Sequence, residues 1–209
     1  MRTALRLKMW SGRSGWGRAV LAAGLLAGGV LASDAAPAPV AAAAPGQDCV
    51  VPERPFDPAT LAIPGVVGRT RVLALGRDAH GVPRPPPLTD KGKWQFAWDK
   101  ESGIRPGSAE GTVPLTAHTY PRDGSYGLAL GNRLLARLHL GDLMVAEGRH
   151  GERLCYRVAK TLVVRAEQKV PAYYAQTGPP RLAILVCSGT RRGPGDWSHR
   201  TIWFAEPVV

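Results

Sequence analysis

Glycine and proline punctuate this chain so densely that long helices have almost nowhere to form. Its 209 residues include 25 Gly and 19 Pro, more than a fifth of the total. Glycine in an element interior costs about 0.5–1 kcal/mol in conformational entropy, and proline removes a backbone donor and clashes in a helix. What survives between the breaks is short and rich in β-branched and aromatic residues. Thr70–Leu75, Lys93–Trp98, Gly111–His118, Leu143–Glu147, Arg153–Val164, Arg181–Val186 and Thr201–Ala205 all read as strands. Lys93–Trp98 sets Trp94, Phe96 and Trp98 on one face. Arg181–Val186 is nearly all apolar, as expected of a central strand buried on both faces. Arg84–Pro87, with three prolines in four residues, cannot be strand interior. One internal helix is predicted, Asn132–Leu138, with Asn132 as N-cap. Strands at such close intervals with one short helix predict a closed or nearly closed β-barrel.

The amino terminus is built differently. Residues 1–18 carry five basic groups and no acid, and Ala19–Ala32 is an uncharged run of 14 residues. An Ala/Pro-rich stretch follows to residue 48. This is the order of a basic region, an apolar region and a small-residue flank found in export signals. As a helix the apolar run reaches roughly 21 Å, short of a roughly 30 Å hydrocarbon core unless flanking residues help. It therefore serves as a cleavable signal, giving a secreted protein, or as a single-pass anchor. In both cases the basic end stays cytoplasmic and the body is exported. The expected organisation is a signal or anchor segment over 1–32, a linker over 33–48 and a folded domain over 49–209.

Nearly half of the net charge of +11 lies in residues 1–18. Without them the chain holds 27 − 5 = 22 basic against 16 acidic residues, or +6. No basic run is interleaved with aromatics, so nothing points to a nucleic-acid partner. A basic exterior suits an anionic lipid or cell-wall surface. The cysteines are far apart, with neither CxxC nor HExxH, so no metal site or cofactor is expected.

Three residues carry chemistry. Cys187 ends the most apolar run and precedes Ser188-Gly189-Thr190, held on a rigid element beside a turn. A thiol becomes a nucleophile when a base or a positive charge lowers its cost of ionisation. His118 ends another strand. Arg200 begins the last strand and, always charged, can hold an oxyanion or a carbonyl but cannot act as a base.

Together these residues resemble the sortase family. Leu182-Ala183-Ile184-Leu185-Val186-Cys187 is similar to the sortase strand that ends in the nucleophile. Thirteen residues on, Arg200 lies within Trp197-Ser198-His199-Arg200-Thr201-Ile202-Trp203-Phe204-Ala205, similar to the W-x-x-R-x-I-x-x-A final strand. Leu115-Thr116-Ala117-His118-Thr119 resembles the T-x-G-H-type motif, and the segment from Leu130 to Asp142 resembles the short helix and its L-x-x-G-D turn. The chain departs from the pattern at Val186, where threonine is usual, and at Ala117, where glycine is common. The His-Thr-Tyr step looks most like class F sortases of actinobacteria.

The resemblance implies a mostly β, eight-stranded closed barrel with one or two short helices, behind an N-terminal hydrophobic helix and linker. It implies a cysteine transpeptidase with thiol-protease chemistry that cleaves an LPXTG-like C-terminal sorting motif of exported proteins. The thioester product would pass to a peptidoglycan precursor or another amine acceptor. Cys187 would be the nucleophile, His118 the general acid and base, and Arg200 the oxyanion or substrate-backbone partner. Thr119, Val186 and Trp197 would contact substrate, as would Tyr173 and Tyr174 in the Arg165–Pro180 connection. With Cys187 free, Cys49 and Cys155 are left to form a disulfide in an oxidising compartment. The expected location is the membrane, through residues 19–32, with the catalytic domain outside. A papain-like enzyme would place its cysteine before its histidine and on a helix, and an L,D-transpeptidase would show an S-x-G-C-like motif. A non-enzymatic exported β-barrel binding cell wall or peptide is the alternative reading, distinguished by the absence of selective labelling at Cys187.

Overall fold

A computed structural model describes residues 49–122 and 127–208. Eight strands among them close into a barrel: β1 (Thr60–Ile63), β2 (Val67–Leu75), β3 (Phe96–Asp99), β4 (Thr112–Ala117), β5 (Leu143–Glu147), β6 (Arg153–Arg165), β7 (Arg181–Gly193) and β8 (Asp196–Pro207). The order around the barrel is β1-β2-β3-β4-β7-β8-β6-β5. The β2/β3 and β4/β7 pairs are parallel and the rest antiparallel. Helix α1 (Leu130–Arg137) lies between β4 and β5. The signal or anchor segment and the linker lie outside the described residues, among which no helix is long and apolar enough to cross a membrane.

Alternation along each strand sorts side chains between two environments. Val113, Leu115 and Ala117 of β4, Leu182, Ile184 and Val186 of β7, and Trp203 and Ala205 of β8 belong to the barrel core. The intervening residues face outward. On most of a barrel they would meet water, but here the β6–β7 connection folds back over them. Its 3₁₀ turn at Pro171–Tyr174 packs Tyr173 against Ala183, Ile202 and Phe204, and the Tyr173 hydroxyl donates to the Leu115 carbonyl at 2.9 Å. That cover is why β7 is apolar on both faces.

Four features differ from the expectations above. Lys93–Trp98 is not one strand: Gly92–Trp94 is a 3₁₀ turn, β3 starts at Phe96, and Trp94 is 37% exposed with the Arg133 guanidinium 5.2 Å from its ring. The turn requires glycine at position 92, since a Cβ there would collide with the Pro87 carbonyl oxygen. The helix starts two residues early, with Ala129 as N-cap. Asn132 is buried inside it and bridges Tyr120, accepting from its N–H at 3.2 Å and donating to its carbonyl at 3.0 Å. A strand at Thr60–Ile63, too short to show alternation, supplies the closing contact with β5. Finally, β7 and β8 run well past Cys187 and Arg200 into a hairpin, so neither residue stands at a strand end.

A disulfide joins Cys49 to Cys155 in β6, 106 residues apart. Cys187 is the free cysteine.

Candidate active site

Register brings the three chemical residues together. Cys187 lies directly opposite Arg200 across the β7/β8 pair. Both belong to the outward-facing set, with Leu185 and Ile202 paired in the next row below. On the other side, parallel pairing sets Thr116 beside Leu185 and Ala117 beside Val186. His118 is the next residue of the chain. It is locked there from both sides: the Thr119 hydroxyl donates to the Cys187 carbonyl at 2.6 Å, and the Gly131 N–H of α1 donates to the His118 carbonyl at 3.0 Å. Only glycine permits that approach, since a Cβ at 131 would lie 2.4 Å from the His118 oxygen.

The residues line two adjoining cavities. One, of about 500 Å³, contains Cys187, His118, Thr119, Arg191 and Trp197. The other, of about 280 Å³, contains Arg200, Val170, Tyr173 and Tyr174. They share Thr116 and Leu185 as floor and Val82 and Pro83 as wall. The Thr116 hydroxyl oxygen on that floor is buried with no hydrogen-bond partner among the described residues. A buried unmet hydroxyl costs about 1–3 kcal/mol, so it favours any ligand that supplies the missing bond. A separate apolar cavity of about 500 Å³ near Leu154 and Tyr156 contains neither thiol nor imidazole.

Burial pushes the half-buried Cys187 thiol up from its ordinary pKa, and the Arg200 charge pulls it part of the way back. Burial pushes the His118 imidazole down, opposed by its hydrogen bond to the Pro86 carbonyl at 2.6 Å. Both shifts favour the uncharged thiol and imidazole over the thiolate–imidazolium form. The Arg200 guanidinium is tethered through its own strand, donating to the carbonyls of His199 at 3.1 Å and Trp197 at 3.4 Å.

Of the expected substrate contacts, Trp197, Tyr173 and Tyr174 do line the cavities. Tyr173 is nevertheless almost wholly buried, with its hydroxyl spent on Leu115, so it shapes the wall rather than offering a polar group. Thr119 lines the cavity with its hydroxyl committed to Cys187. Val186 is a correction: it points into the barrel and is 0% exposed, because it is one residue out of phase with Cys187. Sequence reasoning missed Gly131 and the wall at Val82–Leu88. The prolines of that wall were legible only as a bar to strand formation.

No family model matches the chain, and no curated protein matches it. Solved structures do. Streptococcus agalactiae sortase C1 in complex with MTSET is 17% identical over 73% of this chain and 69% of that one, with a TM-score of 0.53. Sortase C1 from Streptococcus suis is also 17% identical, covering 74% of each chain, with a TM-score of 0.52. Sortase A from Corynebacterium diphtheriae is 16% identical over 75% of this chain and 62% of that one, with a TM-score of 0.51. At these identities the likeness is one of fold, and the barrel described above has the sortase fold.

Proposed function

We propose that the chain is a sortase-type cysteine transpeptidase, of a class F-like actinobacterial kind, acting on LPXTG-like sorting motifs of exported proteins. The observation that carries this reading is the single outward-facing row of Cys187 and Arg200, with His118 pinned beside it, over a two-chambered groove. With its thiol proton passed to His118, the Cys187 sulfur attacks the carbonyl carbon before the scissile bond, and the negative charge passes to the carbonyl oxygen. Arg200 holds that oxygen or the adjacent substrate backbone, where a fixed positive charge stabilises the developing negative one. His118 protonates the departing amine nitrogen as the C–N bond breaks, leaving a thioester. An incoming amine attacks the thioester, His118 takes its proton, and the thiolate leaves. The acceptor is a peptidoglycan precursor or another cell-wall amine.

Thr116 supports a peptide substrate, since a backbone N–H laid along the floor would satisfy its hydroxyl. Location follows the same proposal: residues 19–32 hold the chain in the membrane and residues 49–209 work outside it. The test is a library of sorting-motif peptides with an amine acceptor, read by mass spectrometry for cleavage and for a Cys187 thioester. The wild-type chain should cleave and transfer, and Cys187→Ala should do neither while remaining folded. Cleavage retained in Cys187→Ala, or no cleavage of any library member by the wild type, would reject the assignment.

A further inference from the structure

We propose that the proline-rich segment Val82–Leu88 is a positioning strap for His118, with the Pro86 carbonyl holding Nε2–H so that Nδ1 carries the catalytic proton. The inference rests on the transpeptidase reading for its function and on geometry for its form.

A carbonyl oxygen has no proton to give. The 2.6 Å contact between His118 Nε2 and the Pro86 oxygen therefore requires the hydrogen on Nε2, whether the ring is neutral or charged. The neutral ring then keeps its lone pair on Nδ1, for which the described residues provide no hydrogen-bond partner. Tyr120 meets the ring only with an aromatic contact, at 5.8 Å between centroids.

The strap is built to present that carbonyl. Residues 85–87 are three consecutive prolines, with no N–H to donate and with φ confined by their rings. A run of this kind adopts an extended helix without internal hydrogen bonds, so no N–H within it claims the Pro86 carbonyl. Both ends are fixed. At the start, Arg77 bridges Pro83, and the Asp78 carboxylate accepts from the N–H groups of His80 and Val82, each at 2.9 Å. Arg77 also grips the fully buried Asp99 carboxylate through Nε at 2.9 Å and a terminal nitrogen at 2.8 Å. At the far end, the Thr89 N–H donates to the Pro87 carbonyl at 2.8 Å, and Gly92 lets that carbonyl come close. A rigid run between two anchors loses little entropy in holding one carbonyl in place.

The proton balance follows. Nδ1 first takes the Cys187 thiol proton, and the resulting imidazolium, protonated on both nitrogens, gives it to the leaving amine as the C–N bond breaks, while Nε2–H stays on Pro86. When the acceptor amine attacks the thioester and the C–S bond breaks, Nδ1 takes the amine proton. The strap acts through His118 and touches no reacting atom.

The test uses the full-length chain labelled with ring-¹⁵N histidine, with His118→Ala to assign the signal. The expected result is a ring N–H on Nε2 that exchanges slowly with water, with Nδ1 as the nitrogen whose shift moves on titration. The double variant Pro86→Gly/Pro87→Ala frees the carbonyl without changing a side chain that lines the cavities. It should lose the protected N–H and lower kcat by about tenfold or more, with KM nearly unchanged. An Nδ1–H tautomer, an unprotected ring in the wild type, or a variant with equal or higher kcat would overturn the proposal. A higher kcat would mean that the strap blocks the ring instead of aiming it. The wild-type spectrum decides the matter if the variant does not fold. No peptide cleavage with the ring signature in place rejects the transpeptidase reading, whereas cleavage without the signature rejects the strap.

Discussion

Cys49→Ser should destabilise the domain by several kcal/mol, chiefly through the unfolded chain. The bond to Cys155 closes a loop of 106 residues, enclosing β1 to β6 up to its third residue. For a loop of that length the chain-entropy relation gives about 4.7 kcal/mol, an upper figure against the more usual 2–4. Little else in the folded state depends on the crosslink. Phe56 is already seated in the core with its N–H on the Pro106 carbonyl at 3.0 Å, and Val50 and Val51 before it are exposed. At about 2–4 °C per kcal/mol for a domain of this size, the melting temperature should fall by roughly 5–15 °C. Cys155 is fully buried, where a free thiol behaves as a small apolar side chain. Cys155→Ser should therefore cost about 1–3 kcal/mol more than Cys49→Ser, by adding an unmet hydroxyl to the interior. The assay is thermal and urea unfolding of the full chain, oxidised and reduced, with free thiols counted under denaturing conditions. Reductant on the wild type should reproduce the Cys49→Ser curve. A Cys49→Ser protein that melts within about 1 °C of the oxidised wild type, where one kcal/mol alone would move it further, would refute the reasoning.

The remaining expectations concern the groove. The pH profile of kcat/KM should be bell-shaped, with an acid limb below the ordinary imidazole range from His118 and an alkaline limb above the ordinary thiol range from Cys187. Arg200→Gln removes the charge that lowers the thiol, so the alkaline limb should move up while turnover falls by orders of magnitude. An alkaline limb that stays in place would remove Arg200 from the thiol's surroundings. Gly131→Ala should displace the His118 backbone, given the 2.4 Å its Cβ would leave to that carbonyl. A tenfold or greater loss of kcat in a folded protein is expected, since misplacement of about 1 Å can cost about 100-fold. Wild-type kcat in that variant would show that the ring's position is set elsewhere.

Much of this was legible from residues alone, for physical reasons that can be named. Alternation with a period of two marks β6, where Leu154, Tyr156 and Val158 share the core face, because a strand with one face on a core must repeat that way, and an unbroken apolar run marks β7, which is covered on both faces. The thiol, imidazole and guanidinium were each a weak signal alone and became legible through the sortase-like motifs around them. Where helices and strands are short, local pattern fails. Lys93–Trp98 and Asn132 read locally as a strand and an N-cap, yet the approach of Pro87 to Gly92 and the loop at Tyr120 decide what each does.

Residue types and their two faces thus belong to the sequence, and the meeting of Cys187 with Arg200 belongs to the tertiary structure. The hairpin register at Gly193 and Asp196, run unbroken, would set Cys187 opposite Ile202. Two irregularities, between Ser188 and Arg191 and between Arg191 and Gly193, shift the pairing by two residues and put Arg200 there instead. A shift of two keeps every side chain on its own face, so no pattern of apolar and polar residues records it. The same holds for the Pro86 carbonyl. Every residue has a carbonyl, and only the path of the whole strap across the barrel selects the one that meets His118.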